Sequence, residues 1–365
     1  MRKVLVIFGT RPEAIKMCPL VRVLNERPGV ETRVCVTGQH REMLDQVLEV
    51  FDVHPDVDLS IMQKGQDLFD ITLAILQKLR DVLRAEAPDV VLVHGDTTTA
   101  FVAMLSAFYL GIPVGHVEAG LRTGRMDSPF PEEFNRQAIG LVATYHFAPT
   151  SHAAEDLLRE GKDPARVFVT GNTVVDAMRT TVREDFSHPL LDWIGPRRLL
   201  FMTAHRRENW GAPLSRIFQV VRALLLAHPD LAAIYPVHMN PKVREPAFEI
   251  LGDVPNLKLV DPLDVVACHN LEARAFLCLT DSGGIQEECA ALGTPTLVLR
   301  ETTERPEGVA TGNLRLVGTD ADRIIAAVTE LIEDPAAYQA MRNAQNPYGD
   351  GHASERIADI LENEA

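Results

Sequence analysis

Short apolar runs alternate with amphipathic helical stretches along the whole chain. Val4–Phe8, Arg33–Val36, Val90–Val93, Val114–Val117 and His146–Ala148 lack polar alternation. Such runs predict strands of a parallel sheet covered on both faces. Between them, Glu13–Glu26, Arg41–Phe51, Leu68–Glu86, Thr98–Leu110, Glu132–Thr144 and Ala153–Glu160 read as helices. The rhythm then restarts. Leu199–Thr203, Ala233–Val237, Leu257–Val260, Phe276–Leu279 and Thr296–Leu299 predict strands. Leu214–Ala227, Val243–Leu251, Glu272–Arg274, Ile285–Leu292 and Ala321–Glu333 predict helices. Two such series predict an α/β protein of two doubly wound domains. The break is expected between Thr170 and Arg197, where Gly171, Pro189, Gly195 and Pro196 cluster. The domains are placed at residues 1–172 and 173–350, and the helical segment 351–365 is expected to cross back to the first.

Ligands of open parallel sheets sit beyond the carboxyl ends of the strands. Arg11, Asp96, Glu118, His205, Ser282 and Arg300 fall at such ends, and two facing rims predict a substrate cleft. Gly9-Thr10-Arg11-Pro12-Glu13-Ala14-Ile15-Lys16 leaves the first strand and opens a helix. A turn into a helix N-terminus suits an anion, with Arg11 and Lys16 as added cations; the plainer reading is an ordinary turn with surface charge. Asp281-Ser282-Gly283-Gly284 repeats that logic in the second half, with Asp281 or Ser282 as cap and Glu288 placed for ribose hydroxyls.

Asp96, Glu118 and Glu132 are candidate general acids and bases, although helix capping would also account for Asp96, Glu132 or Glu133. His205, followed by Arg206 and Arg207, is a candidate contact to phosphate or a sugar hydroxyl. Arg305 lies in a polar, loop-like stretch whose charges either reach a ligand or pair among themselves.

Composition narrows the class. A chain of 365 residues exceeds one compact core, and 46 % hydrophobic with 24 % charged residues is ordinary globular usage. A net charge of −15 argues against nucleic acid or an anionic membrane surface as partner. Five cysteines with no C-x-x-C point to reduced thiols in a cytoplasm. The apolar run after Met1 is too short for a signal segment, and no stretch approaches the ~20 apolar residues of a membrane span. The histidines show no metal-ligand spacing, and there is no Walker A, G-x-S-x-G or G-x-G-x-x-G motif. No metal and no cofactor is expected.

Several strings recur together in one order: Gly9–Lys16, Gln39–Leu44, His94–Thr98, Val117–Thr123, Pro131–Glu133, His205–Asn209, Asp281–Glu288, Thr302–Gly308 and Asn346–Gly351. They resemble the bacterial non-hydrolysing UDP-N-acetylglucosamine 2-epimerases across essentially the whole chain. The resemblance implies a GT-B fold, a homodimer, and UDP-N-acetylglucosamine and UDP as ligands. It also implies supply of UDP-N-acetylmannosamine for surface polysaccharide. Asp96, Glu118 and Glu132 would surround the sugar, with His205 beside the departing UDP. Arg11, Lys16, Ser282, Gly283, Gly284, Glu288 and Arg305 would hold the nucleotide sugar. Gln39, His40, Gln66, Arg206 and His238 would belong to a regulatory site for a second UDP-N-acetylglucosamine. Glu42 stands where many relatives have glutamine and Gly65 where an arginine is common, which bears on activator binding. Cys268 replaces an aromatic residue often found before the following His-Asn.

Overall fold

The computed structural model describes residues 1–38, 41–63, 65–127 and 129–363. The chain forms two compact units, Met1–Thr180 with Tyr348–Ala365, and Thr181–Pro347. The first unit runs β1 (Arg2–Phe8), α1 (Arg11–Asn25), β2 (Val30–Val36), α2 (Arg41–Phe51), β3 (Val57–Asp58), α3 (Leu68–Glu86) and β4 (Val90–His94). It continues with α4 (Thr98–Tyr109), β5 (Val114–Val117), α5 (Glu132–Val142), β6 (Tyr145–Ala148), α6 (Ser151–Arg159), β7 (Val167–Val169) and α7 (Thr173–Thr181). The second unit runs α8 (Pro189–Ile194), β8 (Arg198–Thr203), α9 (Ala212–Ala227), β9 (Leu231–Pro236), α10 (Pro241–Leu251), β10 (Leu257–Val260) and α11 (Val265–Arg274). After it come β11 (Leu277–Thr280), α12 (Gly283–Leu292), β12 (Thr296–Val298), α13 (Pro306–Thr311), β13 (Leu314–Leu316), α14 (Ala321–Glu333) and α15 (Pro335–Arg342). The chain then returns to the first unit as α16 (Ala353–Asn363).

Both sheets are parallel and doubly wound. Their strand orders are β3-β2-β1-β4-β5-β6-β7 and β10-β9-β8-β11-β12-β13. The order reverses between β1 and β4 in the first sheet and between β8 and β11 in the second. Those switch points are where such sheets open a crevice at their carboxyl ends. The central strands are buried along their length, as the apolar runs predict; every residue of β4 and β5 is buried. Leu5, Ile7, Val91 and Val93 pack against Ile75, Leu79, Ala103 and Ala107 in the first core. Leu200, Met202, Leu277 and Leu279 pack against Leu214, Phe218 and Val221 in the second.

The pattern misses β3, β7 and β13, all of them edge strands of two or three residues. An edge strand is exposed on one side, so it need not carry a continuous apolar run. The helix α11 also starts earlier than expected. Asp264 caps it by accepting from Ala267 N at 2.8 Å. The loop-like stretch after β12 contains α13, with Pro306 in its first turn and Gly312 closing it. No helix among the described residues is long and apolar enough to cross a membrane. All five cysteines are free.

Helix α16 packs on α1, with Ile357 and Leu361 fully buried. Its start is tied by Asp176, which accepts from Ser354 N at 2.7 Å and Ala353 N at 3.2 Å. Arg2 donates to the Leu361 carbonyl at 2.6 Å near its other end. Losing a buried cap of this kind costs about 1–2 kcal/mol. Asp176→Ala is therefore expected to lower unfolding free energy by about that amount in urea titration. An unchanged midpoint would show that α16 needs no such anchor.

Candidate functional site

The first unit presents its polar groups after β1, β4 and β5. Gly9 passes so close to Thr37 that a Cβ there would lie 1.9 Å from Thr37 Oγ1, which reserves the turn for glycine. Glu13 is almost fully buried and accepts from Thr10 N (2.8 Å), Gly9 N (3.1 Å) and the Thr97 hydroxyl (2.7 Å). Burial pushes its carboxyl up, and those donors oppose the shift. Thr97, not Asp96, caps α4 by accepting from Ala100 N at 3.0 Å. Asp96 is thereby released from capping and instead pairs with the buried Arg136 guanidinium. Its backbone carbonyl accepts from Asn135 Nδ2 at 2.8 Å. His116 steadies the same turn by donating from Nε2 to the Gly95 carbonyl at 2.7 Å, and burial pushes its pKa down to about 3.

Glu118 leaves β5 with φ +63°, a left-handed conformation that costs free energy in a non-glycine residue. Its carboxylate pairs with Lys16, accepts from Asn172 Nδ2 at 2.8 Å and lies 3.6 Å from His94 Nε2. Glu132 and Glu133 both open α5, yet they differ. Glu133 is fully buried and holds the preceding loop through Thr123 N (3.1 Å) and Gly124 N (3.4 Å), with Arg136 at 3.3 Å. Glu132 is half-buried, and its Oε2 has no hydrogen-bond partner among the described residues. Arg11 begins α1, half-buried. Asp96, Glu118, Glu132, Lys16 and Arg11 are thus all rim residues of one unit. The residues that sequence reasoning misses here are Arg136, Asn172 and His94. His94 directly follows the predicted strand Val90–Val93 and ends β4, so its position was legible; Asn172 follows β7, which the apolar pattern did not show.

The second unit repeats the plan after β8 and β11. Asp281 is fully buried and does not cap α12. It accepts from His205 N (2.9 Å), Arg206 N (2.9 Å) and Asn209 Nδ2 (3.0 Å), locking the loop that carries His205. Ser282 is the cap residue of α12 but makes no side-chain cap bond. The first N–H groups of this helix belong to Gly283 and Gly284, and such groups suit an anion. His205 stacks on His238 with ring centroids 5.4 Å apart. Burial lowers its pKa, Asp281 opposes the shift, and Arg206 and His238 add to it, which favours the neutral ring.

Arg305 lies against Gly283, whose added Cβ would sit 2.5 Å from the guanidinium. It is ion-paired with Glu287 (2.7 Å) and Glu304 (2.6 Å). Glu304 also takes Arg300 at 2.9 Å, and Arg206 stands 3.9 Å away. The charges of this stretch therefore pair among themselves. Glu288, on α12, faces His269 at 3.7 Å.

Of the expected regulatory residues, Gln39 and His40 lie outside the described residues. Gln66 folds its own loop, donating to the Ile61 carbonyl at 2.9 Å and accepting from Gln63 N at 2.7 Å. Arg206 and His238 belong to the second unit. Among the described residues one compact set of metal-type donors occurs, His269, Glu272 and Glu288, within 4.8 Å of one another. Burial and the Glu288 charge push Glu272 well up, which favours the neutral acid, a poor cation ligand.

Known proteins share this arrangement. The UDP-N-acetylglucosamine 2-epimerase family profile matches residues 22–362. The UDP-N-acetylglucosamine 2-epimerase of Bacillus subtilis (strain 168) is 52% identical over 359 residues, 98% of this chain and 94% of that one. A crystal structure from Listeria monocytogenes matches with TM-score 0.97 and 51% identity, covering 100% of this chain and 96% of that one. The Neisseria meningitidis UDP-GlcNAc 2-epimerase, solved bound to UDP-GlcNAc, matches with TM-score 0.94 and 45% identity, covering 98% and 99%. The two doubly wound parallel sheets are those of the expected GT-B fold. By profile, identity and structure alike, the chain belongs to the UDP-N-acetylglucosamine 2-epimerase family of isomerases.

Proposed function

We propose that this chain interconverts UDP-N-acetylglucosamine and UDP-N-acetylmannosamine by eliminating UDP and adding it back. The C–H at carbon 2 is not acidic, because no carbonyl adjoins it. Breaking the carbon 1–oxygen bond to UDP puts cationic character on carbon 1, and the neighbouring C–H then becomes acidic. Its proton passes to a carboxylate, leaving 2-acetamidoglucal and UDP. A proton is then delivered to the opposite face of carbon 2, and a UDP oxygen re-forms the bond at carbon 1.

The observation that carries this reading is the set of carboxylates at the ends of β4 and β5. Glu118 is held by Lys16 and Asn172 in a strained backbone, and Asp96 is held by Arg136. Groups fixed in this way are oriented for proton transfer, each step worth about 10²–10⁴-fold. Glu132, with a buried oxygen that lacks a partner among the described residues, is the third such group. The departing diphosphate is assigned to the N-terminus of α12 and the neutral His205 ring as N–H donor. Glu288 takes the ribose hydroxyls. The product supplies N-acetylmannosamine units for surface polysaccharide from the cytoplasm. We also infer a homodimer, because α3, α4 and α5 pack side by side and leave Phe69, Leu73, Tyr109 and Leu141 exposed.

Turnover in D₂O is expected to place deuterium at carbon 2 of the manno product, read by proton NMR; unlabelled product would exclude the elimination route. UDP-N-acetylglucosamine alone should suffice, with no free N-acetylmannosamine released. Asp96→Asn and Glu118→Gln are each expected to lower kcat roughly a hundredfold or more with an unchanged circular dichroism spectrum. A variant with near-normal kcat would remove its residue from the acid–base set. Sedimentation should give a dimer for the wild type and a monomer for Leu141→Glu; a monomeric wild type would refute the assembly.

A further inference from the structure

The strongest group that the proposed chemistry leaves unused is a buried carboxyl beside Glu288. Glu272 is fully buried, two residues before the last residue of α11, where the helix dipole disfavours an anion. Its Oε1 accepts from Cys268 Sγ at 3.0 Å. Its Oε2 is buried too, and the Glu288 carboxyl and the His269 ring each bring a polar atom within 4.8 Å of the Glu272 carboxyl. Two buried carboxyls this close disfavour ionisation of both, whereas one proton held between them relieves the repulsion. On the other side of Glu288 stands His269, whose Nδ1 engages the Thr181 hydroxyl at 2.7 Å. When that hydroxyl donates, the proton of the ring lies on Nε2, toward Glu288.

We infer that Glu272 is a positioning residue: it carries the proton of the pair, donates it to Glu288, and so sets the Glu288 carboxylate as an acceptor for the vicinal diol of a ribose. The inference rests on the reading that Glu288 binds the nucleotide. It adds a division of labour in which Glu272 never touches the ligand, and its donor keeps Glu288 in one rotamer with one oxygen left for the sugar. Both residues belong to the second unit and the acid–base carboxylates to the first, and the expected effect is on nucleotide affinity rather than on the chemical step.

Two measurements on the full-length protein decide it. An infrared difference spectrum of wild type against Glu272→Gln near pH 7 is expected to show the C=O band of a protonated carboxyl, lost in the variant. Absence of the band overturns the proton assignment whatever Glu288 binds. Calorimetric titration with UDP and with 2′-deoxy-UDP, which has no diol, tests the positioning. Wild type is expected to prefer UDP; equal affinity for the two would instead overturn the ribose reading of Glu288. Glu272→Ala is expected to weaken UDP roughly tenfold, with 2′-deoxy-UDP changed by less than about twofold and kcat at saturation preserved. Glu272→Gln, which keeps the shape and an N–H donor, is expected to retain UDP affinity. Equal losses for both nucleotides, or a Glu272→Gln variant as weak as Glu272→Ala, would reduce Glu272 to a packing role.

Discussion

A strand packed by helices on both faces has no place along its length for a charge, because burying an unpaired ion is far too costly. Everything reactive in this chain is therefore pushed to the point where a strand runs out. The register of β4 on β5 sets His94 beside Val117, so the groups that follow, Asp96 and Glu118, emerge at neighbouring positions. The pairing of β8 with β11 sets Thr203 beside Thr280, and their hydroxyls meet at 2.6 Å. Immediately beyond them His205 and Asp281 are bound together. Position at the rim is thus inherited from sheet register, with little left to loop conformation.

Within the rims, acids divide by how completely their oxygens are used. Glu13, Glu133 and Asp281 each collect backbone or amide donors and hardly see solvent; they hold turns in place. Asp96 and Glu118 each rely on a buried cation, Arg136 and Lys16. Removing one partner of such a pair strands the other charge, at a cost of several kcal/mol. The cations are consequently part of what keeps these carboxylates in place.

The sequence made the central strands and long helices legible because burial on both faces leaves an apolar run or a helical period. It left β3, β7 and β13 out of view because short edges need neither. Motif spacing also located Asp96, Glu118 and the Ser282-Gly283-Gly284 turn, but not whether a given acid caps a helix. That depends on competition among adjacent side chains: Thr97 takes the cap that Asp96 could have held, and Asp281 turns away from α12 to bind its neighbour loop. Arg136 and Asn172 were not legible, because their partners Asp96 and Glu118 lie 40 and 54 residues earlier in the chain. Only the folded sheet brings them together. Gln39 and His40, lying outside the described residues, stay as sequence expectations.

Under the proposed function, the paired arginines of the second unit have a kinetic meaning. Arg305 already rests on Glu287 and Glu304, and Arg300 rests on Glu304 and Glu208. An incoming anion has to compete with these resident partners, and a departing one leaves no bare guanidinium behind. In that reading the resident carboxylates act as a counterweight: they hold the affinity for a polyanion down to a level from which it can leave again.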